Sequence, residues 1–104
     1  MRRGEVWWAE LPAPAGRRPV VLLSRNEAYE VRELVIVAPV TSRVRRIPTE
    51  VALGRADGLP RACVANLDTI TTVPKAVLTR RLAELSAERV AAIDRALRFA
   101  VGLL

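Results

Sequence analysis

Two apolar segments separated by a short polar stretch constrain the fold of this chain more than any other feature. They are residues 18–24 (RPVVLLS) and residues 34–41 (LVIVAPVT). Each has the length and composition of a buried strand. Because only nine residues join them, we expect an antiparallel hairpin in which the start of the first strand lies beside the end of the second. This register predicts that Arg18 lies close to Thr41.

Further strands are expected on both sides of this hairpin. The remaining alternating or apolar segments are residues 4–11, 48–53, 62–67 and 78–85. Residues 78–85 alternate irregularly, so they are expected to be a last edge strand, with a helix as the alternative. Residues 68–73 either continue the segment before them or form another strand, and residues 25–33 are expected to be a loop with at most one helical turn. Pro19 has no backbone N–H, so it should lie at the beginning of its strand or at a sheet edge.

One amphipathic helix is predicted at residues 86–101. Ser86 is a suitable N-terminal cap, Glu88 lies in the first turn where the helix dipole favours an acid, and Gly102 is a suitable end. The apolar stripe expected to face the core consists of Val90, Ile93, Leu97, Ala100 and Val101. The elements together predict an α+β fold, either a small SH3-like β-barrel or a twisted antiparallel sheet, with a C-terminal amphipathic helix.

The composition excludes several kinds of protein. A length of 104 residues predicts one domain over residues 1–104. Histidine is absent, which excludes catalysis and metal binding by histidine. Cys63 is the one cysteine, so neither an intrachain disulfide nor a Cys-rich zinc site is expected, and Cys63 should be a small buried side chain. The chain has neither clustered carboxylates nor a glycine-rich phosphate loop, so no metal and no cofactor are predicted.

The sequence also predicts a location away from membranes. No segment approaches the roughly 18 consecutive apolar residues that a membrane span needs. The basic N-terminus has no apolar stretch behind it, as a signal peptide would. We therefore expect a cytoplasmic protein.

The charge favours an anionic partner. The chain has 17 basic and 11 acidic residues, a formal net charge of +6, although a charge of this size is also ordinary for a soluble domain. Arg43, Arg45 and Arg46 lie close together, and in an extended chain Arg43 and Arg45 share one side. This loop either follows a nucleic-acid backbone or is simply a solvated basic loop.

The expected proximity of Arg18 to Thr41 and Ser42 has a chemical interpretation. The planar guanidinium fork matches phosphate, and the hydroxyls can donate to further oxygens, so the three residues could clamp a phosphoryl group. The alternative is that Arg18 forms a surface ion pair and Thr41 is only a good strand former. Trp7 and Trp8 face opposite sides of their strand. Either could stack on a base, but packing is the favoured interpretation for both.

Five segments in order resemble the MazF/PemK family of toxin endoribonucleases. They are RGEVW at residues 3–7, RPVVLLS at 18–24, VAPVTS at 37–42, IPTEV at 47–51 and NLDTI at 66–70. Residues 82–97 also resemble the segment that contains the C-terminal helix of the family. Each segment is moderately specific, and their common order makes the resemblance strong over nearly the whole chain.

The resemblance implies an SH3-like barrel assembled as a homodimer, with a small acidic antitoxin as protein partner. It also implies metal-independent, sequence-selective cleavage of single-stranded RNA. The 2′-hydroxyl attacks the adjacent phosphate and leaves a 2′,3′-cyclic phosphate and a 5′-hydroxyl. The catalytic Arg and Thr of the family match Arg18 and Thr41. RNA contacts are implied for a further set of residues, namely Arg17, Ser24, Asn26, Ser42, Arg43, Pro48, Asp68 and Thr69.

Two features depart from the family pattern. The loop at residues 12–17 is shorter than the family's RNA-contacting loop. At position 69 the family commonly has Gln or Asn, and Thr69 lacks the amide that could read a base edge. Both differences predict an altered sequence preference. Two other functions on this fold stay open, a noncatalytic RNA-binding or regulatory protein and a toxin that poisons DNA gyrase. The retained Arg18 and Thr41 favour the ribonuclease.

Overall fold

The structure, a computed structural model, describes residues 1–103. Its strands are β1 (Glu5–Glu10), β2 (Arg17–Leu22), β3 (Leu34–Thr41), β4 (Glu50–Leu53), β5 (Cys63–Asn66), β6 (Thr71–Pro74) and β7 (Leu78–Glu84). Its helices are α1 (Ala28–Val31) and α2 (Ala87–Val101). Short 3₁₀ turns lie at Arg55–Asp57, Leu67–Thr69 and Lys75–Val77. Residues 68–73 therefore begin a separate strand, and residues 78–85 contain a strand and not a helix.

The strands form an antiparallel sheet in the order β4-β5-β3-β2-β1-β7, with β6 paired to β3. The predicted twisted antiparallel sheet is confirmed, whereas closure into a barrel is not, because β4 and β7 at its two ends do not pair within residues 1–103. Helix α2 instead covers the apolar face. Its residues Ile93 and Ala96 pack in one core cluster with Val51 and Leu53 of β4.

The predicted hairpin register between β2 and β3 is confirmed. Val20 faces Pro39 and Leu22 faces Val37, and the same register two residues further along brings Arg18 opposite Thr41. The pairing stops at Val20 and Pro39, and the end of β3 pairs with β5 instead. Pro19 lies near the beginning of β2, as predicted. Prolines cannot donate to a strand ladder, so the two strands separate at Pro19 and Pro39.

Helix α2 begins and ends as predicted. The Ser86 hydroxyl accepts a hydrogen bond from the Arg89 backbone N–H at 3.2 Å, and Gly102 adopts a left-handed conformation with φ +76°. The prediction that Val101 belongs to the core-facing stripe is wrong, because Val101 is 51% exposed in a last turn that extends past the core cluster. Within residues 1–103, no helix is both long and apolar enough to cross a membrane.

The buried carboxylate of Glu5 ties β1 to its surroundings. It accepts hydrogen bonds from the backbone N–H of Arg2 (2.9 Å), from Trp7 Nε1 (3.0 Å) and from Arg81 Nη1 on β7 (3.3 Å). Burial of this carboxyl opposes its ionisation, but the three hydrogen bonds outweigh burial and lower the pKa of Glu5 below its usual value of 4.5. Ionised Glu5 therefore stabilises the β1–β7 side of the sheet.

Replacing this carboxylate should destabilise the fold in a pH-dependent way. We expect Glu5→Gln to lower the free energy of unfolding at pH 7 by about 1–3 kcal/mol, because a neutral amide replaces an ionised acceptor. Since the pKa of Glu5 is lower in the folded state, its contribution is present above the unfolded pKa and is lost as pH falls through the folded pKa. Urea unfolding should therefore show a smaller difference between the two proteins at pH 3 than at pH 7. An equal loss in the exposed control Glu33→Gln would contradict this prediction.

Candidate active site

Arg18 and Thr41 lie between two adjoining clefts and line both of them. The first, cleft A, has a volume of about 230 Å³ and is lined by Trp8, Arg17, Arg18, Pro19, Val40, Thr41, Ser42, Leu59, Pro60, Arg61 and Cys63. The second, cleft B, has a volume of about 160 Å³ and is lined by Arg18, Pro39, Thr41, Arg43, Arg45, Glu50, Asn66 and Thr69. The separation of β2 from β3 beyond the two prolines leaves room for both.

The guanidinium of Arg18 is oriented by the turn that precedes β2. Its Nε donates a hydrogen bond to the Ala15 carbonyl oxygen at 3.2 Å. Within residues 1–103 its terminal amino groups make no ion pair, so the alternative of a surface ion pair does not apply. Half-buried Arg18 can therefore direct these amino groups towards an anion placed between the clefts.

The hydroxyl of Thr41 is free to donate a hydrogen bond to a group in the cleft. Its Oγ1 already accepts a hydrogen bond from the Arg43 backbone N–H at 3.1 Å. A hydroxyl has one proton and two lone pairs, so this contact leaves the proton free for an oxygen in the cleft. Ser42 lies next to it in the lining of cleft A. One guanidinium and two hydroxyl-bearing residues thus line the same cleft, which is the set of groups expected of a phosphoryl clamp.

The basic loop after β3 is fixed by the carboxylate of Glu50. Glu50 Oε1 accepts hydrogen bonds from the backbone N–H groups of Arg45 (2.9 Å) and Arg46 (3.0 Å). Arg46 has a φ of +59°, a left-handed conformation that is rare for a residue with a side chain. Arg43 and Arg45 both line cleft B, so they lie on the same side, as their alternate spacing predicts.

The two tryptophans have different environments. Trp7 is packed against a core cluster, as expected, and its indole N–H donates to Glu5. Trp8 lines cleft A, and the guanidinium carbon of Arg17 lies 4.1 Å from the centroid of its ring. Arg17 also forms an exposed ion pair with Glu10 at 3.2 Å. Trp8 therefore has two environments, because its ring packs against Arg17 and also lines cleft A.

Four of the RNA-binding residues implied by the resemblance line a cleft. Arg17 and Ser42 line cleft A, and Arg43 and Thr69 line cleft B. Their positions follow from the separation of β2 and β3 and from the 3₁₀ turn after β5.

The other four implied residues lie outside both clefts. Ser24 is buried and its hydroxyl accepts the Ile36 N–H at 2.7 Å, which holds the far end of the β2–β3 hairpin. Asn26, at the same end, accepts the Arg3 N–H through its side-chain oxygen. Pro48 lies in a separate groove between β4 and α2. Asp68 accepts a hydrogen bond from the Thr49 hydroxyl at 2.6 Å.

Several residues that line the clefts had no functional interpretation from sequence. Glu50 and Asn66 line cleft B, and the loop after β4 supplies Leu59, Pro60 and Arg61 to cleft A. Glu50 lies within the IPTEV segment, which is the only signal that could have pointed to it.

The loop after β4 is held by the carboxylate of Asp57. Asp57 accepts the Gly54 backbone N–H through Oδ2 at 2.9 Å and pairs with Arg89 of α2 through Oδ1 at 2.9 Å. The carboxylate therefore closes the turn at the start of the loop and connects it to the helix.

Cys63, in the wall of cleft A, is buried as predicted. Burial, with a smaller contribution from the nearby charge of Asp57, raises the pKa of its thiol above the usual value of 9.0. The thiol is therefore protonated at neutral pH, and a protonated thiol is a poor nucleophile.

Comparison with known proteins identifies the family. A family model described as PemK-like, MazF-like toxin of type II toxin-antitoxin system matches residues 2–101. The chain is 46% identical over 100 residues to the probable endoribonuclease MazF5 of Mycobacterium tuberculosis, covering 95% of this chain and 91% of that protein. It is 35% identical over 103 residues to the probable endoribonuclease MazF2 of the same species, covering 98% of this chain and 99% of the relative.

Solved structures agree with these matches. The Mycobacterium tuberculosis toxin MazF-mt6 has a TM-score of 0.88 at 31% identity, covering 96% of this chain and 98% of that chain. A mycobacterial endoribonuclease in complex with its cognate antitoxin has a TM-score of 0.90 at 33% identity, and the match covers 100% of this chain and 97% of that chain. The sheet and the C-terminal helix are thus those of a small toxin of a toxin–antitoxin system. The chain belongs to the PemK-like, MazF-like family, as the resemblance predicts.

The environment of Cys63 can be tested with a thiol reagent. We expect iodoacetamide to label the native protein at pH 7 at least about tenfold more slowly than the urea-unfolded protein, because burial keeps the thiol protonated and shielded. Since the chain has one cysteine, mass spectrometry reports on Cys63 alone, and Cys63→Ser gives the background. Equal labelling rates in the two states would contradict the buried placement.

Proposed function

We propose that this chain is the toxin endoribonuclease of a type II toxin–antitoxin system, and that it cleaves single-stranded RNA at preferred short sequences. The observation that carries the proposal is the placement of Arg18 and Thr41 side by side between two clefts. Family membership and the names of the curated relatives, probable endoribonucleases, support it.

The proposed reaction is an internal transesterification. The 2′-oxygen attacks the adjacent phosphorus, the bond from phosphorus to the 5′-oxygen breaks, and the products are a 2′,3′-cyclic phosphate and a 5′-hydroxyl. Arg18 neutralises the charge that develops on the pentacoordinate phosphate and supplies a proton to the leaving oxygen. Thr41 and Ser42 hold a non-bridging oxygen. Because the guanidinium supplies a fixed positive charge next to the phosphate, the reaction is proposed to proceed without a metal ion.

The clefts on either side of the Arg18–Thr41 pair suggest how RNA lies across the site. Arg43 and Arg45 in cleft B and Arg61 in cleft A can neutralise flanking phosphates. The ring of Trp8 can stack with a base in place of the Arg17 guanidinium. RNA contacts in cleft A at Arg17 and Ser42, and in cleft B at Arg43 and Thr69, belong to this proposal. Contacts at the four residues outside the clefts stay predictions.

The proposal includes the setting in which the toxin acts. We propose a single domain that forms a homodimer in the cytoplasm, where its RNA substrate is found. A small acidic antitoxin would neutralise it, because an excess of positive charge attracts an acidic protein as well as RNA. A structural neighbour that is an endoribonuclease in complex with its cognate antitoxin supports this partner.

Incubation of the purified protein with a long single-stranded RNA in EDTA tests the activity. We expect discrete cuts with 5′-hydroxyl ends, and at least about 100-fold slower cutting by Arg18→Ala and Thr41→Val, because each removes a donor to the reacting phosphate. Arg32→Ala removes an exposed arginine at the other end of the hairpin and should cut at the wild-type rate. Cleavage by Arg18→Ala at the wild-type rate would overturn the assignment of Arg18 to the active site. Binding without cutting would favour the noncatalytic RNA-binding protein, with gyrase inhibition as the next assay.

The role of Trp8 can be separated from that of the reacting groups. Trp8→Ala should weaken binding of the cleaved sequence by about 5- to 150-fold, because stacking on an aromatic ring contributes roughly 1–3 kcal/mol per base. The ligand is the mapped RNA with a 2′-deoxyribose at the cleaved nucleotide, measured by fluorescence anisotropy. Trp8→Phe keeps an aromatic face and should lose less. Unchanged affinity in Trp8→Ala would exclude stacking on this ring.

A further inference from the structure

The proposed reaction needs a group that accepts the proton of the 2′-hydroxyl. Arg18 cannot do so, because its guanidinium already carries its proton at physiological pH and has no lone pair to accept another. Histidine is absent from the chain, and the hydroxyls of Thr41 and Ser42 are weak bases. A carboxylate is the remaining side chain of suitable basicity.

Glu50 is the only carboxylate that lines either cleft within the described residues. It lies in cleft B together with Arg18 and Thr41. Its Oε1 is engaged by the two backbone N–H groups of the basic loop, but its Oε2 is buried and makes no hydrogen bond within residues 1–103. A buried acceptor without a donor is unfavourable. Cleft B is therefore lined by a residue with an unsatisfied acceptor, and a substrate hydroxyl could supply the missing donor once bound RNA displaces the groups that cover Oε2.

The carboxylate of Glu50 is also held in a fixed orientation. Consecutive N–H groups next to a left-handed residue form a concave site for one anionic oxygen, and Oε1 occupies that site. The backbone N–H of Glu50 donates to the Ile47 carbonyl oxygen at 3.0 Å, which closes the same turn. A base that is oriented before substrate binds needs little rearrangement during the reaction.

We propose that Glu50 is the general base of RNA cleavage, an inference that rests on the proposed ribonuclease function. Oε2 takes the proton from the 2′-hydroxyl as the 2′-oxygen forms its bond to phosphorus. The bond from phosphorus to the 5′-oxygen breaks, and the 5′-oxygen receives a proton from Arg18. Solvent then removes the proton from Glu50 and returns one to Arg18, so no further reactant is consumed.

Glu50 also anchors the basic loop, so the test must separate the two roles. In Glu50→Gln, the side-chain carbonyl oxygen can still accept both backbone N–H groups, but the amide cannot take up a proton. Glu50→Ala removes the base and the anchor together. Glu33→Gln removes one exposed carboxylate elsewhere and is the matched control.

The experiment compares single-turnover cleavage of the mapped RNA with binding of the same RNA carrying a 2′-deoxyribose at the cleaved nucleotide. We expect Glu50→Gln to cleave about 100- to 10,000-fold more slowly than wild type, to bind within threefold of wild type, and to melt at a similar temperature. Glu50→Ala should cleave as poorly and bind more weakly.

Two results would overturn the role of Glu50 and leave the ribonuclease in place. One is cleavage by Glu50→Gln within tenfold of the wild-type rate. The other is binding by Glu50→Gln as weak as that by Glu50→Ala, which would assign the residue to anchoring the loop alone. If wild type itself does not cleave RNA, the proposed function fails first and the general base fails with it.

Discussion

The site depends on the place where the pairing of β2 and β3 ends. Antiparallel pairing fixes which residues face each other, so once Val20 faces Pro39, the start of β2 must approach the end of β3. Prolines at this point cannot continue the ladder. β3 turns to β5, the strands separate, and Arg18 and Thr41 face each other across a gap that backbone hydrogen bonds do not fill. The same constraint thus positions the two side chains and leaves the space between them open to a ligand.

Features of the molecule that depend on local sequence were predictable. The hairpin register follows from two apolar segments and a short connection, and helix α2 follows from its cap, its apolar period and its terminal glycine. The proximity of Arg18 and Thr41 follows from the register alone. The fold class was predictable because it also follows from the local strand and helix patterns. Whether the sheet closes was not, because closure depends on how the two end strands and the helix share the core.

Features that depend on contacts between distant segments were not predictable from a single sequence. Trp8 faces the opposite side of β1 from Trp7, and on that side the loop after β4, far along the chain, forms a wall of cleft A. The walls supplied by Leu59, Pro60 and Arg61 come from a segment that, taken alone, is only a turn-rich connection. Val101 continues the helical period, but a period does not tell where the core ends. Glu50 is an ordinary strand residue until the loop before it folds back onto its carboxylate.

The carboxylate of Asp57 has a consequence for how the site responds to events at the protein surface. One of its oxygens closes the turn at Gly54 and the other holds Arg89 of α2. The carboxylate therefore connects the segment that carries Pro60 and Arg61 into cleft A to helix α2. A change in the position of α2 would therefore act first on the ion pair between Arg89 and Asp57, which connects the helix to the segment that carries Pro60 and Arg61 into cleft A.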